Sequence, residues 1–147
     1  MKFKSLIVLI TVVAAVVSCA TGERPVSEKL TGVWSGSNAI EITMVDSSGN
    51  TVIQELSAPI EIEYNSDSTF TAVITINDTT LVNMGGVATV VDSLVSVTGS
   101  MSCAKIFDIA GDLKLNSDGT LLFSYTGTSP EVNVVHKGSS VAVKKVR

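Results

Sequence analysis

From Gly32 onward, apolar and polar side chains alternate in short runs with a period of two. Ile40, Ile42 and Met44 alternate with Glu41 and Thr43. Ile60, Ile62 and Tyr64 alternate with Glu61 and Glu63. Phe70, Ala72, Ile74 and Ile76 share one parity between Thr69 and Asn77, and Leu121, Phe123 and Tyr125 do so between Thr120 and Thr126. This period predicts strands with one buried face. Turn residues separate the runs at Asp46–Asn50, at Asn65-Ser66-Asp67-Ser68, at Asn77-Asp78-Thr79 and at Thr128-Ser129-Pro130. Asn116-Ser117-Asp118-Gly119 is the strongest hairpin signal, because Asp-Gly suits a positive φ. Pro59 has no N–H for a ladder, so it predicts an edge, a bulge or a bend within Thr51 to Tyr64. Leu81 to Lys105, punctuated by Gly85-Gly86 and Asp92-Ser93, fits two strands or one strand and a long loop. Ile109, Leu113 and Leu115 mark a strand from Ile106 to Asn116. Val132 to His136 and Ser140 to Arg147 predict a last hairpin around Lys137-Gly138-Ser139.

The pattern amounts to about eight to ten short strands and no helix beyond the N-terminal segment. It predicts an all-β fold: an antiparallel up-and-down β-barrel of about eight strands, with a β-sandwich as the alternative. Short turns between sequence neighbours favour up-and-down order. Closing the sheet would remove edges through which so Val-rich a chain could aggregate. The 147 residues suit one domain. Trp34, the only Trp, marks the centre of the core.

The N-terminus reads as an address. Lys2 and Lys4 precede an apolar run, Leu6 to Val17, broken only by Thr11. A transmembrane helix needs about 20 apolar residues, so the run fits a secretory signal instead. Val16-Val17-Ser18-Cys19 resembles a bacterial lipobox. That resemblance implies cleavage after Ser18, acylation of Cys19 and a lipid anchor in the bilayer. Ala20, where retained lipoproteins carry Asp, implies the outer membrane, on either face. Ala20 to Lys29 is polar, holds Gly22 and Pro25, and predicts a tether. The expected division is a signal peptide over 1–18, a lipidated tether over 19–29 and a β-barrel over 30–147.

Gly32-Val33-Trp34 at the start of the first strand resembles the G-x-W signature of the calycin superfamily, the lipocalins and their relatives. The resemblance implies that Trp34 closes one end of a barrel beneath a basic side chain, which Lys144, Lys145 or Arg147 would supply. Asp67-Ser68-Thr69-Phe70 is similar to the D-G-T-F/Y hairpin of small lipocalin-like domains, with Ser68 in place of Gly. The chain thus resembles a small bacterial lipocalin-like lipoprotein. It lacks the later lipocalin motifs and their C-terminal helix, so no ligand chemistry carries over residue by residue.

Charge and reactive residues narrow the functions. The formal net charge is −4, and the segment before Cys19 holds two lysines and no acid, which speaks against a nucleic-acid partner. Once Cys19 is acylated, Cys103 is a single thiol, expected to be buried and inert. His136, the only His, is expected at the surface or in a hairpin, too isolated for a Cys103–His136 dyad or a triad. Glu61 and Glu63 are spaced like a glycosidase pair but read as the wet face of a strand. Asp108 and Asp112 lack a calcium loop, and Gly85-Gly86 lacks the Lys and helix of a phosphate loop. No catalytic residue, cofactor or metal is expected. Two functions remain. One is a carrier holding a small apolar or amphiphilic ligand against Tyr64, Phe70, Phe123 and Tyr125. The other is an envelope protein that docks a protein or glycan, without a ligand cavity.

Overall fold

The computed structural model describes residues 22–146. Eight antiparallel strands follow chain order and close into a barrel when β8 pairs with β1. They are β1 (Gly32–Val45), β2 (Thr51–Tyr64), β3 (Thr69–Asn77), β4 (Thr80–Val91), β5 (Leu94–Ser102), β6 (Ile106–Leu115), β7 (Leu121–Ser129) and β8 (Val132–Lys144). The expected barrel is the observed one, and its topology is consistent with a calycin-like fold. Leu81 to Lys105 resolves into two strands, because Asp92 turns the chain at φ 56°.

Period two decides which side chains fill the barrel. Inward positions of every strand supply the core, and Ile62, Ile74, Met101, Leu121 and Phe123 lose all contact with solvent. Inward Gly86 and Gly99 stand directly opposite each other, and a Cβ on either would run into the facing backbone. Their absent side chains let the two strands close up where the sheet curves. The twin turns Asn65–Thr69 and Asn116–Thr120 fold alike. Asp67 and Asp118 each accept two bonds from the Thr two residues on, at 3.0 and 2.6 Å and at 2.9 and 2.7 Å. Ser68 takes the φ of 65° that Gly119 takes at 83°.

Three sequence expectations need correction. The last hairpin does not exist: β8 runs unbroken through Lys137-Gly138-Ser139, and the turn lies at Pro130-Glu131. Inward alternation of His136, Gly138, Ser140 and Ala142 keeps the strand in register, and Gly138 serves packing rather than turning. The stretch expected to be without regular structure holds a short helix, α1, over Val26–Leu30. Leu30 is fully buried and plugs the barrel end where β1 begins. His136 and Cys103 exchange their expected places. The His is 5% exposed inside the barrel, while the Cys is exposed in the β5–β6 turn. Cys19, with the expected signal and lipobox, and Arg147 lie outside the described residues.

Candidate functional site

The closed end is built on Trp34. Its indole Nε1 donates to the Leu30 carbonyl at 2.7 Å, and Lys144 Nζ sits 5.3 Å from the ring centroid. The same ammonium donates to the Lys29 carbonyl at 2.9 Å. Two carbonyls that α1 leaves open at its C-terminus are thus satisfied by side chains of β1 and β8. Of the basic residues named from sequence, Lys144 covers the Trp, and Lys145 pairs with Glu61 instead.

The four aromatic residues named as ligand-lining all face inward, each at most 4% exposed. Tyr64 is the register partner of Phe70 across β2 and β3. Phe70 meets Phe123 edge-on at 6.0 Å, and Phe123 stacks on Tyr125 at 5.2 Å. Tyr125 stacks on His136 at 5.7 Å, and His136 faces Phe107 at 6.5 Å. The result is an aromatic column along the inner wall, which fills much of the barrel interior.

Tyr125 reaches across β8 at Gly138, where a Cβ would overlap its ring. Its hydroxyl accepts a bond from Asn38 Nδ2 at 3.2 Å. Burial pushes the phenol up to about 12, against the opposing Asn38 bond. Asn38 Oδ1, Tyr64 Oη and His136 Nδ1 are buried without hydrogen-bond partners among the described residues. The sequence reading missed Asn38 and His136 as interior residues, although both share parity with buried neighbours.

Burial also holds the His136 imidazole below its ordinary 6.5. The unfolded chain therefore binds that proton more readily than the native one. Its contribution leaves stability intact above pH 6.5 and erodes it as pH falls toward the lower native value. Replacing His136 with Phe should flatten the decline in the urea midpoint between pH 6.5 and about 5, above the carboxylate range. An unchanged slope would mean that other groups set the acid response.

The opposite end of the barrel is uneven. β1, β2 and β8 run 14, 14 and 13 residues, against 9 for β3 and β5. β1 and β2 stay paired to their tips, whereas β2 meets β3 only over Ile60–Tyr64. An arm therefore rises beyond the wall, with Thr51–Pro59 of β2 on its open side. Val45, Val52 and Ile53 on this arm are exposed by 51%, 41% and 59%. On its outer face Lys137, Glu41 and Glu55 stand in one row across β8, β1 and β2. Lys137 Nζ approaches Glu41 Oε1 at 3.4 Å. Ala39 and Ser139 join this row around a shallow open depression of about 570 Å³. A second depression of about 400 Å³ lies between the tip of β1 and the β7–β8 turn, lined by Met44, Val132 and Val134 among others.

The remaining candidates stay apart. Glu61 and Glu63 are exposed on the outer wall, and Asp112 accepts a bond from Ser96 Oγ at 3.3 Å. No cluster of three or more His, Cys, Asp or Glu suited to a metal ion occurs among the described residues. Cys103 Sγ faces the Lys105 carbonyl at 3.7 Å.

No known protein-family model matches this chain, and no curated protein matches it in sequence. Among solved structures it is similar to a redesigned β-barrel, at 17% identity and a TM-score of 0.47 over 86% of this chain and all of that one. It is also similar to two variants of transferrin-binding protein B from Haemophilus parasuis, each at 14% identity and a TM-score of 0.49. These alignments cover 86% of this chain but only 28% and 29% of those proteins. The chain thus spans less than a third of their length.

Proposed function

We propose that the chain is a lipid-anchored protein of the bacterial envelope whose filled barrel docks a protein partner. One observation carries this reading over the carrier reading. Tyr64, Phe70, Phe123 and Tyr125, the side chains available to line a ligand cavity, are packed on one another and on the core. An eight-stranded barrel has an interior that side chains can just fill, and here they do so along the aromatic column. Orientation supports the same reading. The chain enters the barrel at the α1 end, a few residues after Cys19, and the arm rises at the other end. An acylated Cys19 would hold the closed end toward the bilayer and present the arm away from it. The exposed Val and Ile of the arm suit contact with another protein.

A second reading keeps the carrier function at the mouth, where Met44, Val132 and Val134 border the smaller depression. Native mass spectrometry of residues 20–147, expressed in an envelope compartment, separates the two. The docking reading expects a clean apo mass. A non-covalent mass that disappears on denaturation would overturn it and name the ligand class. The anchor has its own test: Cys19→Ser should abolish metabolic fatty-acid labelling and release the protein from the membrane fraction. Retained labelling would remove the lipobox assignment.

A further inference from the structure

The open side of β2 has a definite hydrogen-bonding phase. Asp46 N donates to Asn50 O at 2.9 Å in the β1–β2 turn, and Asn65 N donates to Thr69 O at 2.9 Å in the β2–β3 turn. Antiparallel ladders alternate, so both turns assign the same phase. Even-numbered residues of β2 direct their backbone groups at β1. Thr51, Ile53, Glu55 and Ser57 direct theirs to the side where no strand lies among the described residues. Pro59 holds the next position of that phase and has no N–H to donate toward β3. Pairing with β3 stops there for that reason, and β3 itself slips register between Thr75 and Asn77.

Proteins usually blunt such an edge with lysine, proline, a bulge or a cover. Between Thr51 and Ala58 this edge has none of these among the described residues. It has one charge, Glu55, and that charge is badly placed on its own. Glu55 stands directly across from Glu41, and like charges in that position repel. Lys137 neutralises Glu41 from the far side, while Glu55 forms no ion pair among the described residues. The row therefore reads Lys137, Glu41, Glu55, and a cation in the next strand would complete it.

We propose that the open edge of β2 accepts an extended strand of a partner protein, antiparallel to Thr51–Ser57, with a Lys or Arg across from Glu55. This rests on the docking reading and names its partner class. Residues of the partner facing inward would lie beside Val52, Gln54 and Leu56, and those beside Val52 and Leu56 would be apolar. Outward residues beside Thr51, Ile53 and Ser57 would be Thr, Ser or Val. A second copy of β2 does not meet the requirement, since Thr51–Ser57 holds no basic residue.

The test uses the full lipidated chain in detergent micelles and a labelled peptide, acetyl-Thr-Val-Lys-Val-Thr-Val-Thr-amide. Fluorescence anisotropy should report binding, and amide exchange should slow at Thr51, Ile53, Glu55 and Ser57. The same peptide with Glu in place of Lys should bind about tenfold more weakly. Glu55→Lys should reverse that preference. Ile53→Pro, which removes one edge donor and no bond to β1, should abolish binding with the melting temperature little changed. Equal affinity for the two peptides, or no protection of the edge amides, overturns the proposal. So does a dimer in sedimentation that Ile53→Pro dissolves, which would assign the edge to a second copy. Peptide failure beside a clean apo mass would leave docking in place on another surface. A bound ligand in native mass spectrometry would remove the docking reading itself.

Discussion

Trp34→Ala is expected to lower the unfolding free energy by about 3–5 kcal/mol, followed by circular dichroism in urea because the only Trp is gone. Domains of this kind have about 5–15 kcal/mol in total, so the loss takes much of the margin. Three effects add at one place. The indole is 2% exposed, so its removal leaves a large cavity at the closed end. The Leu30 carbonyl, bonded to Nε1 at 2.7 Å, loses its donor beneath a fully buried side chain. Lys144 loses the ring face under its ammonium and keeps only the Lys29 carbonyl. Trp34→Phe separates these effects: it retains most of the apolar volume and orphans the carbonyl, for a cost of about 1–3 kcal/mol. If Trp34→Ala cost less than about 1 kcal/mol, α1 and the indole would not be closing the barrel.

The sequence carried the barrel because the alternation is local and repeated. Each inward face could be read within a single strand, and the Asp-Gly and Asp-Ser turns marked where one strand ended. Through the resemblance a basic partner for Trp34 was legible at the chain's end, among Lys144, Lys145 and Arg147, and the structure seats Lys144 on the ring. Lys137-Gly138-Ser139 misled for a physical reason. Glycine beside polar residues is turn composition, and only the packing of Tyr125 against β8 shows that this glycine makes room for a ring. His136 was placed outside because polar residues usually are, yet it holds an inward parity between Val134 and Gly138. The arm was half visible. Pro59 announced an edge, a bulge or a bend, but the unequal strand lengths and the Lys137–Glu41–Glu55 row exist only once three distant segments are in register. Cross-strand order is a tertiary fact, and a single sequence does not print it.

Gly138→Val should cost about 3–5 kcal/mol of stability. A Cβ at Gly138 would occupy the space of the Tyr125 ring, and the ring has little freedom to yield. Phe123 stacks on one side of it at 5.2 Å and His136 on the other at 5.7 Å. Displacing the ring also takes its hydroxyl from Asn38, whose amide is fully buried and already carries one unpartnered oxygen. The cost therefore combines overpacking with a buried donor left unpaired. If this account holds, the damage belongs to the pair rather than to β8. Tyr125→Ala alone opens a cavity, but combined with Gly138→Val it should cost less than the two single changes added together. A coupling of about 1–3 kcal/mol is expected in the double-mutant cycle. Strict additivity would mean that the valine acts through β8 itself, and that the seat of the tyrosine on the glycine does not hold the aromatic column in place.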